Sequence, residues 1–154
     1  MKIYIVRGEP VALARTRITT HNRCWDSQKQ VKLAYGIQIQ NQHEGSPLFT
    51  GPLHIDATFF MPIPLSSRNK NLSGTFHYFR PDIDNLEKFL LDVATGVLFH
   101  EDCLIASITC KKVYDEDPRT EFTVRELRDS HLPKPKKEKR EKSKETAQNK
   151  RENT

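Results

Sequence analysis

Apolar and polar residues follow one another along the first part of the chain with the periods of strands and helices. Residues Lys2 to Val6 alternate with period two, which predicts a first strand that runs into a loop containing glycine and proline. After that loop, the Asp26-Ser27 pair can cap a helix, and apolar residues recur at helical spacing from there to about Gln40. The first two elements are therefore expected to be a strand and a helix.

A second strand and a second helix are expected in the middle of the chain. The β-rich segment from His54 to Met61 is followed by prolines and then by a polar loop that reaches Gly74. Asp84 is expected to cap the next helix, and Gly96 to end it. Apolar residues recur at helical spacing along this segment: Leu86, Phe89, Leu90, Val93, Ala94 and Val97.

Two further strands are expected to form a hairpin. Residues Cys103 to Tyr114 predict one strand, Asp115 to Pro118 a turn, and Glu121 to Leu127 the partner strand. Alternate apolar residues are expected on one face of the first of these strands: Leu104, Ala106, Ile108 and Cys110. The order β-α-β-α-β-β predicts an α/β (α+β) single domain, in which a mixed β-sheet carries the helices packed on one face.

Length and composition predict one domain and a separate tail. A chain of 154 residues with 36% hydrophobic residues is long enough for one well-packed core. Residues 131–154 contain no aromatic and almost no aliphatic residue, so they cannot bury enough apolar area to offset their ordering entropy. We therefore expect a folded domain over residues 1–130 and a disordered Lys/Arg/Glu-rich tail over residues 131–154.

Charge is distributed unevenly along the chain. The formal net charge of +5 lies in the tail, which has 9 basic and 4 acidic residues. Residues 1–81 contain 10 basic residues (Lys and Arg) and 4 acidic ones (Asp and Glu). Residues 82–130 contain 6 basic and 12 acidic residues. A basic tail can be a solubilising segment or a flexible polycation that contacts nucleic-acid phosphates, and both interpretations stay open.

Other features of the composition favour the cytoplasm. No segment approaches the roughly 18 consecutive apolar residues of a membrane span, and the N-terminus lacks the pattern of a signal peptide. The three cysteines cannot all pair within one chain, which favours a reducing compartment. We therefore expect a cytoplasmic protein that has no membrane partner.

The carboxylates best placed for chemistry surround the second expected helix. Asp82 and Asp84 flank one residue at its start, so their side chains are expected to lie close together. The helix covers roughly 16 Å at about 1.5 Å per residue, and the extended residues after it return a similar distance. Asp102, preceded by Glu101, is therefore expected to come back beside the first two aspartates.

Such a cluster needs a cation, because carboxylates in one place repel one another. Mg²⁺ prefers oxygen ligands and uses one or two carboxylates together with water and substrate phosphate oxygens. Lys88 lies one helical turn beyond Asp84, where an ammonium group can stabilise transition-state charge on a phosphate. These residue types indicate phosphodiester hydrolysis with Mg²⁺, or with Mn²⁺ in its place, bound by Asp82, Asp84 and Asp102.

These features also have ordinary structural explanations. An Asp-x-Asp sequence before a helix is frequently a cap with a solvated carboxylate. Lys88 and Asp92 have the i, i+4 spacing of a common surface ion pair. The convergence of the acidic groups favours the functional interpretation, because a cap or a surface pair does not require a return path of matching length.

The same segment resembles a known family. The resemblance rests on a run of Pro81, Asp82, Asp84, Asn85, Leu86 and Lys88, then Asp92 in the helix, then Gly96 to Asp102. In this pattern the chain resembles the RusA family of crossover junction endodeoxyribonucleases, which resolve Holliday junctions. Weaker similarity extends over about residues 3 to 126.

The resemblance implies particular roles for these residues. Asp82, Asp84 and Asp102 would be the catalytic carboxylates that bind Mg²⁺, and Lys88 would be the catalytic lysine. It also implies a homodimer with one active site per subunit. The family often has two aspartates where this chain has Glu101-Asp102, so the resemblance assigns a metal role to Asp102 and not to Glu101.

Basic residues are the candidates for contacting DNA. Arg15 and Arg17, in an Arg-x-Arg sequence, are the first choice, with an ordinary solvated loop as the alternative. Arg80 and Lys111 are further candidates. Because Lys111 and Lys112 point to opposite faces of a strand, only one of them is expected to join a DNA surface.

Together these observations predict a homodimeric, Mg²⁺-dependent endodeoxyribonuclease acting on branched DNA. It would resolve four-way junctions by paired cuts during DNA recombination and repair. The alternatives are a metal-dependent nuclease that acts on flaps, forks or structured RNA, a non-catalytic binder of branched nucleic acid, and an adaptor that binds proteins through its tail.

Overall fold

The computed structural model describes residues 1–14, 17–18, 24–67 and 71–128. The strands are β1 (Lys2–Arg7), β2 (Arg17–Ile18), β3 (Cys24–Trp25), β4 (Leu53–Pro62), β5 (Ile105–Asp115) and β6 (Arg119–Glu126). The helices are α1 (Lys29–His43) and α2 (Ile83–Ala94), and single 3-10 turns lie at Leu65–Ser67 and Asp102–Leu104. The tail that we expect over residues 131–154 lies outside the described residues.

Four strands form one mixed sheet in the order β1-β6-β4-β5. Strands β4 and β5 run parallel, whereas β6 pairs antiparallel with both β1 and β4. A parallel pair needs a crossover connection, and α2 lies within the one that joins β4 to β5. The expected single α+β domain with a mixed sheet is confirmed.

The core lies on one face of this sheet, against both helices. Alternate residues of β4 from Leu53 to Met61 are buried there, and the rings of Tyr4 on β1 and Phe122 on β6 stack 5.1 Å apart. The helices add residues to the same cluster: Tyr35 and Ile39 from α1, and Leu86, Phe89, Leu90, Val93 and Ala94 from α2. Burial of this apolar face is the main force that fixes α2 on the sheet.

Helix α1 is fixed to the edge strand β1 by side-chain hydrogen bonds. Gln42 accepts a hydrogen bond from the Ile5 N–H at 2.9 Å and donates one to the Ile5 carbonyl at 2.7 Å. Gln38 accepts another from the Arg7 N–H at 2.9 Å. These contacts continue α1 to His43, beyond its expected end.

Both helices begin at residues other than those expected. The N-cap of α1 is Gln28, because the Asp26 carboxylate folds back to accept the Gln28 N–H at 2.9 Å and to pair with Lys32 at 2.8 Å. The N-cap of α2 is Asp82, whose backbone is extended. The expectation that Asp84 caps this helix is therefore wrong, since Asp84 lies within the first helical turn.

The chain after α2 confirms one expectation and corrects another. Gly96 follows the end of the helix as expected, with a φ of +82° that glycine adopts at little steric cost. Strand β5 begins at Ile105, later than expected, and a register shift near its start leaves Ala106 exposed. The expected apolar face is confirmed at Ile108 and Cys110, which pack against the core.

The remaining strands are short. Strands β2 and β3 pair as a two-stranded sheet in a segment that the sequence pattern predicts to be a loop. Two residues per strand are too few to produce a detectable alternation, which explains why this pairing was not predicted. Among the described residues, neither helix has the length and apolar character needed to span a membrane.

Candidate active site at the start of the second helix

The start of α2 presents two carboxylates to solvent, because the opposite face of the helix is anchored in the core. Leu86 and Phe89 are buried. The Leu13 N–H donates a hydrogen bond to the carbonyl of Asn85 at 2.8 Å, which ties the N-terminal loop to this turn. Asp82 and Asp84 are exposed. The free N–H groups of a first helical turn favour negative charge nearby.

Lys88 pairs with Asp84 across one turn of α2. Its ammonium nitrogen Nζ lies 3.1 Å from Oδ2 of Asp84, and both side chains are 59% exposed. The hydrogen bond from Lys88 holds the pKa of the Asp84 carboxyl below its usual value. The expected placement of Lys88 on the same side of the helix as Asp84 is confirmed.

Asp92 belongs to a different set of charges. Its carboxylate lies 2.6 Å from the ammonium of Lys32 on α1, which also pairs with Asp26 at 2.8 Å. The hydrogen bonds that the Lys32 ammonium donates to these two carboxylates raise the pKa of Lys32. The alternative in which Lys88 forms a surface pair with Asp92 is therefore wrong, because Asp92 connects the two helices through Lys32.

Asp102 and Lys88 line one cavity of about 570 Å³, together with Glu101, Asp92 and His100. The chain reaches this position after α2, where the Gly96 N–H donates to the Phe99 carbonyl at 2.7 Å and Asp102 begins a 3-10 turn. The adjacent Glu101 accepts a hydrogen bond from the Cys103 thiol at 3.4 Å, which raises the pKa of that thiol.

Asp82 and Asp84 line a second cavity of about 750 Å³. The other charged residues that line it are all basic: Arg80, Lys111 and Lys112. The two cavities adjoin at α2, because Asp84 lines one and its ion-pair partner Lys88 lines the other. A phosphate group in this region would meet ammonium and guanidinium groups on both sides of the carboxylates.

The donor chemistry of the site fits a hard divalent cation. Asp82, Asp84 and Asp102 are exposed carboxylates, and Mg²⁺ needs only one or two of these together with water and substrate phosphate oxygens. Across residues 1–14, 26–67 and 71–128, no three His, Cys, Asp or Glu side chains lie close enough to hold one ion together. The expected return of Asp102 beside Asp82 and Asp84 is therefore not observed, since Asp102 lines the other cavity. The binding of one cation by all three aspartates stays a prediction.

Two of the four basic residues expected to contact DNA are described with their side chains. Arg80 and Lys111 are exposed and line the same cavity as the aspartate pair. Arg17 lies in β2, of which the backbone alone is described, and Arg15 lies outside the described residues.

Lys112 is a residue of this region whose role the sequence did not reveal. Its ammonium donates hydrogen bonds to the carbonyls of Phe79 at 2.8 Å and of Pro81 at 2.6 Å. Lys112 lines the 750 Å³ cavity together with Lys111, and the expectation that only one of these two lysines joins a DNA surface stays a prediction. The aromatic residues just before Asp82 line the cavity too, and their clustering in the sequence is the signal that could have drawn attention to them.

Metal-dependent phosphodiesterases use carboxylates to bind the metal and ammonium groups to stabilise charge on the phosphate, and both kinds of group lie beside a basic cavity here. The family described as Endodeoxyribonuclease RusA matches residues 7–125. The chain therefore belongs to the RusA endodeoxyribonuclease family, and its folded domain is a nuclease domain. The match includes Asp82, Asp84, Lys88 and Asp102.

A relative in Bacillus subtilis (strain 168) has a similar length. The uncharacterized protein YqaN is 29% identical to this chain over 135 residues, which cover 80% of this chain and 95% of YqaN. The similarity therefore extends beyond the acidic motif to nearly the whole of that protein.

Proposed function

We propose that the protein is a Mg²⁺-dependent endodeoxyribonuclease that resolves four-way DNA junctions by paired phosphodiester hydrolysis. Membership of the RusA family implies endonuclease activity on Holliday junctions. The observation that carries the proposal is the start of α2, where Lys88 pairs with Asp84. Asp84 and Asp82 line a cavity of about 750 Å³ whose other charged residues are all basic. A phosphodiester can approach this surface from outside, as a polymer substrate requires.

The proposed roles follow from the chemistry of each side chain. Asp82, Asp84 and Asp102 would hold Mg²⁺, or Mn²⁺ in its place, which when bound supplies an activated water and stabilises the leaving oxygen. Lys88 is paired with Asp84 in the free protein. Once Asp84 serves as a metal ligand, the ammonium of Lys88 is available to stabilise negative charge on the substrate phosphate.

Basic residues would bring DNA to these carboxylates. Arg80 and Lys111 line the cavity of the aspartate pair, and we propose that they contact phosphates together with Arg15 and Arg17. Such contacts orient the DNA without reading its sequence. The tail over residues 131–154 would add a flexible positive charge that strengthens binding at low salt.

The symmetry of the substrate supports a homodimer. Two symmetric cuts across a four-way junction need two active sites related by a two-fold axis, which a dimer with one site per subunit provides. Resolution of such junctions belongs to DNA recombination and repair, and we propose that the protein acts there, in the cytoplasm.

The decisive experiment is cleavage of a labelled synthetic four-way junction beside linear duplex, flap, fork and structured RNA controls. Wild-type and Asp82→Asn proteins are each incubated with Mg²⁺ or with EDTA. Paired, Mg²⁺-dependent nicks on the junction alone are expected from the wild type. The variant should not cleave, but it should bind the junction as well or more tightly, because it has one negative charge fewer facing the phosphates.

Other outcomes would replace the proposal. Cleavage of the flap, fork or RNA instead of the junction would leave the site in place and change its substrate. Binding of the junction without cleavage in Mg²⁺ or Mn²⁺ would indicate a non-catalytic branched-DNA binder. Loss of binding together with cleavage in Asp82→Asn would contradict the charge argument.

A further inference from the structure

Three large aromatic side chains are exposed immediately before the aspartate pair. Phe76 is 72% exposed, Tyr78 80% and Phe79 60%, although aromatic residues of this size usually bury most of their surface. With His77 between them, they form a continuous segment that we name the aromatic ledge (residues 76–79). The rings of Tyr78 and Phe79 stack on one another 4.4 Å apart, with 29° between their planes.

The ledge is held in place by the edge strand β5. Phe76 forms a β-bridge with Val113, and the His77 N–H donates to the carbonyl of Lys112 at 3.0 Å. The Lys112 ammonium in turn donates to the carbonyl of Phe79 at 2.8 Å. The His77 ring packs 4.7 Å from Tyr114, so the segment is anchored at both ends while Tyr78 points into solvent. A surface fixed in this way loses little entropy when it binds a partner.

The surroundings of the ledge suit one nucleotide. The ledge forms one side of the 750 Å³ cavity that Asp82 and Asp84 also line, a volume within the range of about 300–1,000 Å³ typical of small-molecule sites. Arg80 and Lys111 line the same cavity, and neither forms an ion pair with any residue that the structure describes. The cavity therefore combines aromatic faces for a base, positive charge for a phosphate and carboxylates for a metal.

We infer that the aromatic ledge stacks an unpaired nucleobase of the DNA substrate beside the phosphate that is cut. The inference rests on the proposed function and adds a specificity element to it. Every base has a π-face, so stacking on Tyr78 and Phe79 requires no particular sequence. Unstacking a base costs least where pairing is already interrupted. The ledge therefore favours a branch point over uninterrupted duplex.

Adjacent positive charge favours a nucleobase over a second copy of this chain as the occupant. The ledge lies between Arg80 and the strand that carries Lys111, and a two-fold contact through the ledge would bring these like charges of both subunits together. A DNA strand instead brings phosphates, which neutralise them.

The test places 2-aminopurine, a fluorescent base, at each position around the branch of a synthetic four-way junction. Binding is measured in EDTA, so that no cleavage occurs, for the wild type and for Tyr78→Leu and Tyr78→Phe. Leu keeps an apolar side chain without a π-face, and Phe keeps the ring. Leu33→Ala on α1, which removes a side chain that is 62% exposed, is the control for loss of an exposed apolar group.

The wild type should change the fluorescence of one or two branch positions, and Tyr78→Phe and Leu33→Ala should behave as the wild type does. Tyr78→Leu should lose this signal and bind the junction roughly tenfold more weakly, while its affinity for linear duplex stays the same. Because the Tyr78 side chain is exposed, the melting temperature of the Tyr78→Leu protein should equal that of the wild type.

Three results would overturn the inference. Unchanged fluorescence and affinity in Tyr78→Leu, in a preparation whose parent protein cuts junctions in Mg²⁺, would remove the ledge proposal alone. A parent protein that neither binds nor cuts a junction would remove the proposed function and the ledge with it. A shift of Tyr78→Leu from dimer to monomer in sedimentation, with the fluorescence signal intact, would assign the ledge to a subunit interface.

Discussion

At the scale of single residues, the Asp84–Lys88 pair contributes little to stability, which supports the functional role proposed for it. Both side chains are 59% exposed, and exposed ion pairs contribute little to stability because solvent screens them. The hydrogen bond from Lys88 lowers the pKa of Asp84, so the carboxylate stays charged well below neutral pH. The pair keeps an ammonium and an ionised carboxylate side by side where a phosphate can reach both.

Replacing Lys88 with Met should therefore affect catalysis far more than folding. Loss of a group that stabilises transition-state charge lowers the turnover rate by roughly 10²- to 10³-fold. The melting temperature and the junction affinity should stay close to those of the wild type, because the pair is exposed and the DNA contacts elsewhere remain. Single-turnover cleavage, a gel-shift titration and a thermal melt measure the three quantities.

Lys29→Met serves as the matched control, since Lys29 is exposed at the start of α1 and forms no ion pair with the described part of the chain. Equal cleavage by the two variants would exclude Lys88 from the reaction.

Local spacing explains which residue contacts could be predicted. The i, i+4 spacing placed Lys88 beside Asp84 correctly, because one helical turn brings such residues together in any fold. The Lys32–Asp92 pair and the two carbonyl contacts of Lys112 join residues far apart in the sequence. Such contacts depend on how the helices and the sheet edge pack, which the sequence pattern does not specify.

At the scale of elements, α1 binds the sheet through its polar side chains as well as its apolar ones. Gln42 and Gln38 each form two hydrogen bonds with the backbone of β1, at Ile5 and at Arg7. They thereby satisfy backbone groups on the open side of an edge strand. The glutamines leave the last residues of α1, up to His43, without an apolar signal, because polar residues that face the sheet look like solvent-facing ones in the sequence. Helix α2 has an uninterrupted apolar face and was predicted readily.

Replacing Gln42 with Leu should destabilise the domain. The substitution keeps the side-chain volume similar but leaves the N–H and carbonyl of Ile5 without their partner. We expect the free energy of unfolding to fall by about 1–3 kcal/mol, with an unchanged denaturant m-value. Urea unfolding followed by circular dichroism gives both quantities.

Gln40→Leu is the control for this prediction, because Gln40 is exposed on the same helix and makes no side-chain hydrogen bond within the described residues. A loss of stability as large in Gln40→Leu as in Gln42→Leu would show that the contacts to β1 are not the cause.

At the scale of the whole molecule, the charge of the chain is divided between an acidic site and basic surroundings. Residues 82–130, which carry Asp82, Asp84 and Asp102, have 6 basic and 12 acidic residues. The tail has 9 basic and 4 acidic residues. A polyanionic substrate is repelled by the first region and attracted by the second. The tail is therefore expected to help DNA reach the site rather than to choose where it is cut.

Truncation of the chain after Ser130 tests whether the tail contributes to DNA binding without determining the cut positions. The truncated protein should bind a junction more weakly at low salt and nearly as well as the full chain at high salt, because fewer counterions are released on binding. The slope of log affinity against log salt should decrease, while the positions of the cuts stay the same. Displaced cut positions would make the tail a specificity element and contradict its description as a flexible polycation.

The place of β6 in the sheet has a consequence for the synthesis of this protein. The last strand of the described residues is not at an edge but lies between β1 and β4, to both of which it is hydrogen-bonded. While the chain emerges from the ribosome, β4, α2 and β5 can associate, but β1 has no neighbour in the sheet until residues 119–126 arrive. Folding of the sheet is therefore completed only after residues 119–126 have been synthesised, so a polypeptide interrupted before them cannot form the complete sheet that supports the candidate active site.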